Sequence, residues 1–425
     1  ERFSFYGMRA ILILFLVDNV RGGFGWSENT ALSLYGINFM AVYVLGIPGG
    51  ILADRYLGER AAVLWGGIFQ CIGHFLLAVG TQPIFILGLG FIAVGTGLIK
   101  PNISTMVGAL YEQGDPRRDS GFSIFYVGIN VGAVLAPFII GAIGERYSWH
   151  YGFGLAGVGM LIGLFTFWWG GSYLGTTGQK PQRINKLRAA QASLTTGNFS
   201  KSEKNRLMVL TFCFMVFFTF CLAFEQAGGL LNLYAKSHIN RYIFGWEIPT
   251  SIFQSVNPAF VILLGPVIPM IWNSMAKDDK STNAILKMGV GNVITGIGFL
   301  FMVGAALQKQ SSPVEKASMH WLINAYLFHT IGELCLTPVV LSFITKVAPT
   351  RIRSSMMGLF WFTAGIAGWA ASKLGGQVAS LGDINVFILI FAITVLLGLP
   401  FIFFNKRLMT LTHGSAEEIE SAGEG

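Results

Sequence analysis

Stretches of about 20 apolar residues recur along this chain, each long enough to cross a hydrocarbon core of roughly 30 Å. They fall at 3–20, 31–53, 61–80, 84–110, 120–144, 150–174, 206–235, 250–275, 284–307, 318–345, 354–376 and 384–405. Backbone in lipid must satisfy its own polar groups, so such a chain is expected to fold as a bundle of membrane-spanning helices. Twelve spans place both ends on one side. Of the 425 residues 53% are hydrophobic and 12% charged, which leaves little chain for a soluble domain.

The cations give the orientation. Nineteen of the 29 Lys and Arg residues lie in or beside the loops 54–60, 111–119, 175–205, 276–283 and 346–353 and at Lys406–Arg407. Seven lie on the other side, and Arg2, Arg9 and Lys100 lie within spans. The rich side is expected to be cytoplasmic, with both termini. The net charge of +8 is thereby a topology signal, and nucleic-acid binding is not implied. The chain opens at Glu1, without Met and inside an apolar pattern, which points to a short missing N-terminus. Cys71, Cys213, Cys221 and Cys335 have no metal-site or disulfide spacing and read as small buried apolar residues.

One composition break, the polar and basic stretch 175–205, separates a six-span bundle over 1–174 from a second over 206–410. Residues 184–194 have the pattern of a short surface helix, and 411–425 form an acidic tail. The bundles read as weak repeats. Arg118 to Tyr126 lies on Arg353 to Trp361 at an offset of 235, and Lys100 falls near Glu333 at 233. Repeated halves around a midplane site are a transporter architecture. Prolines are expected to interrupt span 8 at Asn257-Pro258, Pro266 and Pro269, span 10 at Thr337-Pro338, and span 4 at Lys100-Pro101-Asn102.

Glu1, Arg2, Arg9, Lys100, Glu225 and Glu333 are ionisable residues inside apolar spans. A charge at the bilayer centre costs about 2.5–3.5 kcal/mol on insertion scales, so six of them point to a polar pathway. Arg2, Phe5, Tyr6 and Arg9 share one helical stripe, suited to an anionic group or a partnering carboxylate. Arg2 alone also fits a cation that snorkels to the interface. Arg9 lies some 10 Å deeper at 1.5 Å per residue, which calls for an internal partner. Glu225 of span 7 is the expected one. His74 and His329 also fall within spans, and packing accounts for both. No nucleophile–base pair occurs within a span, so an enzyme is not expected, and Gly90 to Gly95 lacks the Lys-Ser/Thr of a phosphate loop.

Glu1-Arg2-Phe3-Ser4-Phe5-Tyr6-Gly7 resembles the second half of the ExxERFxYY motif of proton-dependent oligopeptide transporters. Phe122 to Gly132 is similar to that family's FYxxINxG stretch. Lys100-Pro101-Asn102, Glu225-Gln226, Asn257-Pro258 and Gly332-Glu333 match it in order across both halves, and Gly50 to Arg60 resembles the wider major facilitator loop. Phe5 stands where the family has a first tyrosine, the first Glu of ExxE would precede the chain, and the linker is too short for the additional hairpin of two spans common in bacterial members.

The resemblance implies an all-α major facilitator fold of twelve transmembrane helices and proton-coupled import of di- and tripeptides by alternating access. It implies Arg2 and Lys100 on the peptide carboxylate, and Glu333, Asn130 and Asn257 on the amino terminus. Tyr6, Tyr43 and Trp361 would line side-chain pockets, although helix packing explains Tyr43 and Trp361 equally well. Glu225, Arg9 and Glu1 would serve proton coupling. Protons as coupling ion stand in place of any cofactor, and the expected setting is a bacterial inner membrane with the protein as a monomer. The alternatives are another small anion such as nitrate, or a membrane receptor without transport.

Overall fold

The computed structural model describes residues 1–111, 115, 117–179, 199–278, 283–312 and 315–412. Helices follow the apolar spans closely. They are α1 (Arg2–Val17), α2 (Glu28–Leu57), α3 (Glu59–Val79), α4 (Gln82–Ala109), α5 (Ser120–Arg146) and α6 (Trp149–Leu174). After the linker come α7 (Lys201–His238), α8 (Thr250–Leu264 and Val267–Met275), α9 (Ala284–Ser311), α10 (Met319–Val347), α11 (Arg353–Gly375) and α12 (Asp383–Phe403). Among the described residues nine are long and apolar enough to cross a bilayer, and α8 makes ten if its two arms form one span. α1 and α11 fall short of that test and lie on the remaining two expected segments, an arrangement compatible with twelve spans. Residues 184–194 and the tail from 413 lie outside the described residues.

Packing sorts the helices into two groups. In the first, α3 lies against α4 and α6, α1 against α5 and α6, and α2 against α4. In the second, α9 lies against α10 and α12, and α7 against α9, α11 and α12. The groups meet along α2–α11 and α5–α8. The core of the first surrounds α1, where Phe15 packs on Phe24, Phe85, Trp149 and Phe153. Small residues set the spacing, as expected where helices meet in lipid. A Cβ at Gly95 would lie 2.6 Å from the Gly66 carbonyl, and one at Gly291 would lie 2.8 Å from that of Gly332. The α3–α4 and α9–α10 hairpins are therefore closed by the same device.

The helix breakers act differently from expectation. α8 begins as a 3-10 turn over Thr250–Ser255, and its two arms bend by 47° around Gly265-Pro266. Neither Pro101 nor Pro338 interrupts its helix, which corrects the expected breaks in spans 4 and 10. Beside Pro101, Asn102 Nδ2 donates to the Leu98 carbonyl at 2.7 Å and Thr105 Oγ1 to the Pro101 carbonyl at 3.1 Å. The carbonyl that Pro101 deprives of its helical N–H is that of Gly97, and α2 closes on it: a Cβ at Gly49 would lie 2.3 Å from that oxygen. Unforeseen are π turns at Ala53–Leu57 and Pro137–Gly141, and a 3-10 break in α7 over Glu225–Gly228.

Two-residue strands trim the loops: β1 (Ile239–Asn240) pairs in parallel with β4 (Ala317–Ser318), and β2 (Tyr242–Ile243) pairs antiparallel with β3 (Trp246–Glu247). At this end the two groups are latched. The Glu145 carboxylate accepts from the Thr250 and Ser251 N–H groups at 2.8 and 2.6 Å, and Asp18 lies 4.0 Å from Lys236. Burial disfavours the Asp18 charge. Donation from Trp149 Nε1 and the Arg21 N–H outweighs it and holds the carboxyl below its usual range. That contribution to stability is full at neutral pH and is lost only as pH falls through the lowered value.

Replacing Gly95 with Ala should lower the thermal midpoint in detergent, because overpacking against backbone costs about 1–3 kcal/mol. Gly90, with nothing within 4 Å of a built Cβ, is the control. Gly90→Ala should leave the midpoint unchanged or raise it, and equal loss in both variants would contradict this packing.

Candidate functional site

A cavity of about 200 Å³ lies between the groups, walled by Tyr6, Arg9, Tyr43, Asn130, Glu225, Asn257, Glu333 and Trp361 among others. The order of the walls follows from the helices. Tyr6 and Arg9 come from α1, Tyr43 from α2, Asn130 from α5, Glu225 from α7, Asn257 from α8, Glu333 from α10 and Trp361 from α11. Cations belong to the first group and these carboxylates to the second. Eight of the eleven residues singled out in sequence therefore share one wall system.

Arg9 and Glu225 form the ion pair anticipated from sequence, with Arg9 Nη2 donating to Glu225 Oε2 across the two groups. Arg9 Nε donates to the Tyr35 hydroxyl at 2.6 Å. The side chains are 16% and 10% exposed, so each charge depends on the other more than on water. Local sequence makes room for this. Glu225 caps the first arm of α7, and the chain turns through Gly228-Gly229. A Cβ at Gly228 would fall 2.0 Å from the Tyr35 hydroxyl and 3.0 Å from Arg9 Nε. The glycine admits the guanidinium and its phenol partner.

Glu333 has a different environment. Asn257 Nδ2 donates to Glu333 Oε2 at 3.1 Å and to Thr330 Oγ1 at 2.9 Å, while Thr330 Oγ1 donates to the Tyr326 carbonyl at 2.7 Å. The carboxylate is held by a neutral amide on the neighbouring helix and, among the described residues, faces the cavity without a cation paired to it. Asn130 Nδ2 donates to the Tyr126 carbonyl of its own helix at 3.0 Å, so its amide oxygen is available to the cavity.

Lys100 reaches the same region through rings. Its ammonium lies 3.5 Å from the Tyr43 ring centroid and 5.1 Å from that of Trp361. A desolvated cation–π contact contributes about 2 kcal/mol, comparable with the cost of burying the charge. Ring faces thus offset what a carboxylate does for Arg9. Glu1 and Arg2 stand apart. They pair with one another at 3.3 Å, with Gln70 Nε2 3.5 Å from Glu1, on a separate apolar cavity of about 430 Å³ inside the first group.

The sequence reading did not single out Tyr35 or Thr330, both hydrogen-bond partners of the central charges. Tyr35 lies two helical turns before Tyr43, a spacing that would have flagged it. His329 lines the cavity at 1% exposure and packs on Phe299 at 4.8 Å; His74 is fully buried in the first group. All four cysteines are free and buried.

Breaking the ion pair from one side should be costly. Arg9→Ala leaves a carboxylate buried without its cation, a change of about 3–5 kcal/mol, whereas Arg9→Ala with Glu225→Ala should recover part of the loss. Thermal unfolding of the three variants measures this. A double variant less stable than Arg9→Ala alone would show that the pair does not carry the interaction.

A match to the POT family spans residues 60–205 and 189–387. The peptide transporter YePEPT of Yersinia enterocolitica subsp. palearctica serotype O:3 (strain YE-P4) is 36% identical over 439 residues, covering 89% of this chain and 85% of that protein. A di-/tripeptide transporter of Lactococcus lactis subsp. cremoris is 32% identical over 460 residues, covering 94% and 90%. The crystal structure of a POT peptide transporter variant in complex with alafosfalin superposes with a TM-score of 0.88 at 32% identity, covering 97% of this chain and 93% of that one.

Proposed function

The chain belongs to the POT family, and on that premise we propose that it imports di- and tripeptides together with protons by alternating access. The observation that carries this reading is the separation of unlike charges around one cavity. A peptide is a zwitterion, so its two ends need an anion and a cation at separate places. Glu333, steadied by Asn257 and joined by Asn130, is suited to the ammonium end. Lys100, resting on ring faces with Glu1 and Glu225 only in its wider electrostatic surroundings, is suited to the carboxylate. Arg2, the other expected cation, is engaged with Glu1 on the other cavity and lies within electrostatic reach of Lys100. Tyr6, Tyr43 and Trp361 supply apolar faces between the charged ends.

Proton coupling is assigned to Glu225. While ionised it binds Arg9 and ties the two groups together. Protonation removes the attraction and lets the groups separate at that level; re-pairing returns the proton on the other side. Glu1, paired with Arg2, is a second carrier. The latches at Glu145 and Asp18 support a state closed at that end. The Lys and Arg distribution supports an outside position for that end with both termini inside; the reading takes the protein as a monomer in a bacterial inner membrane, a setting in keeping with its bacterial relatives.

Uptake into proteoliposomes tests the reading. An inward proton gradient should drive accumulation of a labelled dipeptide, and Glu225→Gln should abolish accumulation while sparing exchange. Peptides blocked at the amino terminus should compete at least tenfold less well, reflecting loss of a charge-assisted contact of about 1.5–3 kcal/mol to Glu333. Binding without flux would mark a receptor, and uptake of nitrate in preference to peptide would mark another cargo. Accumulation retained in Glu225→Gln would reject Glu225 as the coupling residue.

A further inference from the structure

One face of α2 carries aromatic rings at successive turns: Tyr35, Phe39 and Tyr43, spaced i, i+4 and i+8. Both central cations lie on that face. The Arg9 guanidinium carbon is 5.2 Å from the Phe39 ring centroid and 6.0 Å from that of Tyr35, and the Lys100 ammonium is 3.5 Å from that of Tyr43. The rings follow one another, with Phe39 and Tyr43 at 4.8 Å and Tyr43 and Trp361 at 5.9 Å. α11 presses on the stripe through its glycines. A Cβ at Gly368 would lie 2.3 Å from Phe39, and one at Gly365 would lie 3.0 Å from the Tyr43 Cβ.

We propose that the Tyr35–Phe39–Tyr43 stripe positions both buried cations, and that the Phe39 ring lets Arg9 stand as a cation when Glu225 is protonated. Phe39 has no polar atom and is 4% exposed, so it offers the guanidinium only the negative face of its ring. While Glu225 is ionised, its charge satisfies Arg9 and the ring adds little. Once Glu225 is neutral, Arg9 keeps Tyr35 and the ring faces, and the ring term grows because no anion competes. Phe39 is thus a positioning residue that acts through Arg9.

The other groups around this pair do not remove the need for it. Tyr6 of α1 and Tyr326 of α10 are neutral phenols, and Cys221 of α7 is a buried thiol. Glu333 of α10 is a further anion in the electrostatic surroundings of Glu225, and Lys100 of α4 attracts Glu225 and is a like charge to Arg9. Tyr43 of α2 is engaged by Lys100.

The inference rests on proton coupling through Glu225, and its test separates the two. Phe39→Leu keeps an apolar side chain of similar bulk and removes the ring. Fluorination of the ring at position 39 keeps the shape and drains its face. Proton-driven dipeptide uptake should need more acid in both, with the pH midpoint lowered by about half to one unit, while exchange at fixed pH stays within about twofold. A cycle in unfolding midpoints is the second measurement: fluorination should cost more in Glu225→Gln than in the unmodified protein. If uptake is not proton-driven at all, the coupling reading fails and the unfolding cycle alone decides. Equal cost in both backgrounds, or an unshifted midpoint in a proton-driven transporter, overturns the role of the ring.

Discussion

The Arg9–Glu225 ion pair is the contact on which the arrangement of the two helix groups depends. It joins α1 to α7 at the central cavity, where neither partner has water to fall back on. A surface pair of the same residues contributes about 0–1 kcal/mol; a buried one is strongly destabilising when split. Nearby elements accommodate it. The 3-10 turn at Glu225–Gly228 brings the carboxylate out of a regular helix, Gly228 clears space for the guanidinium, and Tyr35 holds Arg9 from the side. Moving the groups apart with both charges intact would expose each to a medium that does not solvate it. A proton on the carboxylate removes the Glu225 share of that penalty and leaves Arg9 to its remaining partners.

Most of the fold was legible because lipid simplifies the code. Apolar length alone located the helices to within a few residues, and the rarity of buried charge singled out Arg9 and Glu225 as partners. Local backbone irregularities were much less legible. Proline at 101 and 338 promised breaks, yet both helices run on through them. Conversely, the break at Glu225 follows no proline. It requires the Arg9 and Tyr35 side chains to arrive at Gly228, a tertiary fact that spacing in one segment does not contain. The placement of Arg2 was hidden for the same reason. Its stripe was correct, but a helical face does not say which of two cavities it meets.

The two central cations are stabilised in different ways, and the difference has a mechanical consequence. Arg9 is bound by a carboxylate, so drawing it away leaves a second uncompensated charge unless a proton arrives. Lys100 is bound by ring faces, which remain neutral and apolar when the ammonium leaves. On the proposed function, a carboxylate entering the cavity would recruit Lys100 from its ring contacts and from the weaker pull of Glu1 and Glu225, with no directly paired anion to break away from. Trp361, the ring lent by the second group, loses its cation in that step, whereas Tyr43 stays with α2 in the first. On the proposed function, substrate capture at Lys100 would act on the α2–α11 seam and charge neutralisation at Glu225 on the α1–α7 contact. The first exchanges a quadrupole for a full charge; the second deletes a charge outright.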